Sequence, residues 1–209
     1  MISDHLESIK NIKIHYLKNG ISPKEVLLLH GYSFNANTWR DLKTLEILEN
    51  ENIGVVALDF PGFGGSEKLK NLNYNAYPFR SNLDIRFGIE FLKIFIDLNF
   101  DKASIVGPSM GGQLAINYLI TYPLNVCKLV LIGPVGFKQE NILESLKILK
   151  NEVLIMRGKK DSITSERDVL DLKNAIENSS LIQYSNAGHP CYLDVPDQFH
   201  RDLSTFLKK

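Results

Sequence analysis

Short apolar runs rich in β-branched residues alternate with longer runs in which apolar residues recur every three or four positions, and this order persists along most of the 209 residues. Val26–Leu29, Val55–Leu58, Leu129–Ile132 and Val153–Met156 are continuous apolar stretches, the pattern of strands buried on both faces of a parallel sheet. Lys102–Val106 and Leu181–Tyr184 join the series, and Ile12–Leu17 alternates as a half-exposed edge strand does. Trp39–Leu48, Ser81–Leu98, Gln113–Tyr122, Ile142–Leu149, Glu166–Glu177 and Pro196–Leu207 carry helical spacing between them. Strands alternating with helices predict the α/β class, a mostly parallel central sheet with helices on both faces. No repeat interrupts the order, so the whole chain, 1–209, reads as a single domain, long enough to bury a core without disulfides or metal. Leu69–Pro78, with its asparagines, tyrosines and proline, is the one sizeable irregular stretch and is expected to wall a binding site.

Charge narrows the partners. Lysine plus arginine and aspartate plus glutamate both number 24, which argues against nucleic acid as the main partner. No apolar run approaches the ~20 residues that cross a bilayer, so no membrane association is expected. Met1–Glu7 has neither the basic start nor the apolar core of a secretion signal, and a reducing, cytoplasmic setting is expected. The histidines and cysteines show no metal-ligand spacing. Cys127 falls in a segment read as a buried strand and Cys191 in one read as a site loop, where it is expected to be a small packed thiol.

Gly107-Pro108-Ser109-Met110-Gly111 brings in chemistry. Chance placement in a chain of this composition yields roughly 0.07 matches to G-x-S-x-G, and this one lies between a predicted strand and a predicted helix. A serine on so sharp a turn needs nearly side-chain-free residues two positions to either side, which Gly107 and Gly111 supply. A serine hydroxyl is a poor nucleophile unless a base takes its proton and a third group orients that base. In sheets of this kind useful groups lie just beyond the carboxyl ends of strands. Asp161 follows Val153–Met156 and His189 follows Leu181–Tyr184, which gives the order serine, acid, histidine. Asp194 is the reserve acid.

The remaining candidates have plainer readings. His5, His15 and His200 are read as surface or packing residues, His30 as a loop-holding group, Asp59 as a turn former, and Asp168 and Asp171 as helix-surface charges. Oxyanion stabilisation requires two converging N–H groups. Met110, at the start of the helix after the serine, and Tyr32, just past His30-Gly31, are the expected donors.

The His30-Gly31 loop, Asp59-Phe60-Pro61-Gly62-Phe63-Gly64-Gly65-Ser66, the serine elbow, Asp161 and Gly188-His189 occur in the order of an α/β-hydrolase, which the chain resembles over essentially its whole length. Ala187-Gly188-His189-Pro190-Cys191-Tyr192-Leu193-Asp194 and Pro108-Ser109 resemble the small, lidless α/β-hydrolase domain 14 group. That resemblance implies deacylation of small esters, and of acylated amines, with no cofactor. Pro108 departs from relatives with a polar residue or histidine at that place, and it makes the site drier and the elbow stiffer. The interval from Gly133 to Val153 leaves room for about one helix, so no lid domain is expected. The pocket should be open, walled by Tyr32, Phe34, the Leu69–Pro78 stretch and Val135–Phe137. The function expected is a serine hydrolase acting on small acyl substrates. The alternatives are a cofactor-free perhydrolase, thioesterase or lyase on the same fold, or a non-catalytic hydrolase fold that binds a protein partner.

Overall fold

The computed structural model describes residues 1–69, 82–138 and 140–208. Eight strands form one sheet: β1 (Ser3–Ile9), β2 (Ile12–Lys18), β3 (Val26–Leu28), β4 (Val55–Leu58), β5 (Ala103–Pro108), β6 (Val126–Ile132), β7 (Glu152–Gly158) and β8 (Ser179–Tyr184). Their spatial order is β1-β2-β4-β3-β5-β6-β7-β8, antiparallel at the first two pairings and parallel beyond. The helices are α1 (Ala36–Asp41), α2 (Thr44–Asn50), α3 (Asn82–Asn99), α4 (Met110–Thr121), α5 (Glu140–Leu146), α6 (Glu166–Ala175), α7 (Cys191–Asp194) and α8 (Pro196–Lys208). This is the α/β-hydrolase fold, and the interval between β6 and β7 holds α5 in place of a lid domain.

Alternation along the buried strands sorts the core into two layers. Leu27, Val56, Ile105, Leu129, Leu131 and Ile155 face α3, α4 and α6, where Phe95, Leu114, Tyr118 and Leu172 pack. Leu28, Ala57, Val106, Val130 and Met156 face the other way, against Trp39, Leu45, Leu48, Phe199 and Leu203. The chain therefore leaves β3 toward one face and β5 toward the other. That divergence between neighbouring strands opens a crevice at their carboxyl ends.

Several expected boundaries shift. Ile12–Leu17 is not an edge strand, because β1, a largely polar and exposed strand, pairs along it. The expected helix Trp39–Leu48 is two helices, broken where Lys43 adopts a left-handed φ of 60°. The sheet extends to Pro108 and begins at Val126 on the next strand, leaving Cys127 exposed rather than buried. Asp168 is more than a surface charge: it closes a capping box with Ser165 and pairs with Lys138. Of the Leu69–Pro78 stretch, all but Leu69 lies outside the described residues.

His15, read as a surface or packing residue, is instead held between two carboxylates. Its Nδ1 lies 2.7 Å from Asp59 Oδ2 and its Nε2 3.0 Å from Asp4 Oδ1. Asp59, fully buried, also accepts from Ala36 N at 2.6 Å and Gly65 N at 2.8 Å, which bears out its turn-forming role. Burial alone would lower the His15 pKa, but hydrogen bonds to Asp4 and Asp59 outweigh it and raise it. A raised folded-state pKa contributes stability that is full below the unfolded value of about 6.5 and is lost as pH rises through the folded value. Urea unfolding of wild type and His15→Gln should therefore show a stability gap that is wider at pH 6 than at pH 9. A gap that widens with pH would contradict this account.

Candidate active site

Ser109 sits between β5 and α4 at φ 48° and ψ −111°, a region an L-residue occupies only under constraint. Its N–H is tied to Ile132 O at 2.9 Å, and its carbonyl accepts the first bond of α4 from Gln113 N at 3.1 Å. The turn closes so tightly that a Cβ on Gly107 would lie 2.5 Å from Gly111 O, and one on Gly111 would lie 2.8 Å from His30 O. Only glycine fits either place, as the motif requires.

Asp161 and His189 meet at the ends of β7 and β8. His189 Nδ1 donates to Asp161 Oδ2 at 2.9 Å, while Asp161 Oδ1 accepts from Ile163 N at 2.8 Å and Thr164 N at 2.9 Å. Burial pushes the Asp161 pKa up, but the His189 bond and these two N–H groups more than offset it and hold the carboxyl below its usual range. An ionised acceptor at Oδ2 fixes the imidazole proton on Nδ1 and leaves Nε2 with its lone pair. Gly133, at φ 48°, gives the pair its clearance: a Cβ there would lie 3.0 Å from Asp161 Oδ2 and 3.1 Å from His189 Nδ1. Asp194, the reserve acid, is used elsewhere, accepting from Gly188 N at 2.6 Å and so steadying the loop before His189.

Ser109 and His189 line one cavity of about 520 Å³. Their side chains are not hydrogen-bonded to each other among the described residues; bonds of this kind commonly tighten only around substrate. Tyr32, Phe34 and Val135 line the cavity as expected, whereas Phe137 is buried in the core instead. Ile85, Gln113, Ile132, Ile163 and Tyr192 also line the cavity, and none of them was expected as a wall.

The loop after β3 passes beside the serine, for a Cβ on Gly31 would lie 3.8 Å from Ser109 Cβ. Tyr32 follows it, and Met110 begins α4, where the first N–H groups have no intrahelical acceptor. His30 holds this loop, as its sequence position suggested. It is buried, its Nδ1 donates to Gly31 O at 2.8 Å, and its Nε2 accepts from Phe60 N at 3.1 Å. Burial lowers its pKa, so the ring is neutral with both nitrogens engaged.

The sequence profile of the alpha/beta hydrolase fold family matches residues 24–149, and the chain belongs to that family. Within it, the chain belongs with the ABHD14 group. It is 31% identical to Protein ABHD14A of Rattus norvegicus over 88% of its own length and 71% of that protein. It is also 31% identical to rat ABHD14B, which is named "Putative protein-lysine deacylase", over 88% of this chain and 83% of that one. A crystal structure from Thermoplasma acidophilum, described as a predicted CIB-like hydrolase, superposes with a TM-score of 0.88 at 24% identity, covering 99% of this chain and 98% of that one.

The two thiols differ sharply. Cys191 is buried beneath the histidine loop, and burial, with the charges of Asp161 and Asp194 nearby, pushes its pKa up to about 12. Cys127 is exposed. A disulfide reagent at pH 8 should titrate one thiol in the native protein and two after denaturation. Equal reaction of both in native protein would show that Cys191 is reachable and the packing described here is wrong.

Proposed function

We propose that the protein is a serine hydrolase that cleaves small acyl esters, or related acyl amides and thioesters, through Ser109, His189 and Asp161. The observation that carries this reading is the 2.9 Å bond from His189 Nδ1 to the Asp161 carboxylate, at a cavity whose wall also holds Ser109 on its strained turn. In this mechanism Ser109 Oγ attacks the acyl carbonyl carbon as its proton passes to His189 Nε2. Asp161 stabilises the imidazolium, and the Met110 and Tyr32 N–H groups bind the oxyanion. Collapse breaks the bond to the leaving alcohol, amine or thiol, which takes the proton from His189. Water then attacks the acyl-enzyme, with His189 again as base, and releases the carboxylic acid. The described residues use no cofactor or metal in this scheme.

Membership of the ABHD14 group supports deacylation, and a protein-lysine deacylase name among the relatives makes acyl-lysine peptides the first amide substrates to test. The two free thiols suit a reducing cytoplasm, and no described helix is long and apolar enough to cross a membrane. Ser109→Ala should lower turnover by about 10⁴- to 10⁶-fold and abolish fluorophosphonate labelling. A labelled, active Ser109→Ala protein would refute the assignment, and an unlabelled wild type would favour a non-catalytic, partner-binding role.

Side chains of the described lining include tyrosine, phenylalanine, isoleucine, proline and glutamine, with no aspartate, glutamate, lysine or arginine among them. An acyl group carrying its own carboxylate would lose hydration there without gaining a counter-charge from the described lining. Acetyl and butyryl esters should therefore exceed the matching succinyl ester in kcat/KM by about tenfold or more. Preference for the succinyl ester would show that a cation reaches the bound acyl chain.

A further inference from the structure

Arg157 directly follows the apolar run Val153–Met156 of β7, and, unlike exposed Glu152 at the strand's start, it is only 5% exposed. Among the described residues it has no carboxylate within ion-pair distance. Its Nε donates to Thr164 O at 2.6 Å and its Nη2 to Asp161 O at 3.1 Å. Burying a guanidinium without an anionic partner is costly, and an apolar residue would fill this strand position without that cost. What the guanidinium supplies is two directed bonds, both to the main chain of the loop that bears Asp161.

Those bonds have a specific geometric effect. Arg157 fixes the peptide units after Asp161 and after Thr164. These bracket the two units whose N–H groups, from Ile163 and Thr164, point at Asp161 Oδ1. The planar fork of arginine suits two acceptors at fixed separation, whereas a lysine ammonium is a point donor on a flexible stem. Thr164 Oγ1 reaches across to Gly133 O and Pro134 O at 3.2 and 3.0 Å, joining this loop to the segment that clears space for the imidazole. The other oxygen, Oδ2, is thereby aimed at His189 Nδ1.

We infer that Arg157 is a positioning residue, whose guanidinium holds the Asp161 loop so that the carboxylate keeps His189 in its Nδ1-protonated orientation. The inference rests on the proposed roles of Asp161 and His189. It predicts a loss in chemistry rather than in binding, because Arg157 does not line the cavity.

The test compares Arg157→Met and Arg157→Lys with wild type, using kcat per fluorophosphonate-titrated site, KM for a short aryl ester, and the downfield proton resonance of His189 Nδ1–H in the isolated protein. Arg157→Met should lower per-site kcat about 10- to 100-fold, with KM changed less than about threefold, and should shift or broaden the resonance. Arg157→Lys should recover only part of both, and it decides the matter if Arg157→Met does not fold. A purely structural arginine would reduce folded yield while leaving per-site kcat and the resonance as in wild type; that result in either variant overturns the inference. The resonance separates the two readings. If Ser109→Ala stays active, the catalytic assignment fails, yet a moved Nδ1–H signal in the Arg157 variants still establishes that Arg157 orients the pair.

Discussion

The constraint on which the site depends is the backbone of Ser109, held at a φ no ordinary side chain prefers. Such strain, of order 1–3 kcal/mol, persists only where the surroundings over-determine it. Here a ladder bond to β6 fixes the residue from one side and the first bond of α4 fixes it from the other. Two glycines remove the Cβ atoms that would otherwise prise strand and helix apart. The result is a hydroxyl presented to the crevice on rigid elements rather than on a loop. The positive end of α4 begins at this same turn, where the proposed reaction develops negative charge.

Three histidines show how environment assigns role. His30 has a donor at one nitrogen and an acceptor at the other, so it is neutral, saturated and confined to holding a loop. His15 lies between two carboxylates and is biased toward its charged form. His189 has one carboxylate on Nδ1 and a cavity wall as its setting, the arrangement in which a ring can still take up and return a proton. Position after a strand marked out His30 and His189 in the chain, but not the paired setting of His15. The partners around each ring complete the assignment.

Legibility followed the same line. Continuous apolar runs located the parallel strands because strands buried on both faces leave no room for polar residues. The elbow, Asp161 and His189 were readable because each follows such a strand, and strand ends are where this architecture places ligand-binding groups. Polar β1 was not readable, since it draws its stability from pairing with β2 rather than from burial. The break at Lys43 carries no glycine or proline, so local sequence gave no sign of it. Arg157 did leave a trace, a charge at the end of an apolar strand, but its partners are main-chain carbonyls that no spacing rule reaches.

The hairpin of β1 and β2 lies outside the segment matched by the family profile, yet hydrogen bonds connect it to the loop beside the serine. Asp4 and Asp59 hold His15 between them, and the adjoining residue, Phe60, donates its N–H to His30 Nε2. His30 in turn bonds Gly31 O, one residue before the proposed oxyanion donor Tyr32. Asp59 also anchors the first turn of α1 through Ala36 N, so both ends of the segment 31–36 are fixed from the same buried carboxylate region. With α5 rather than a lid domain between β6 and β7, this loop forms part of the cavity wall directly. The bonds through Asp59 and His30 hold it from beneath.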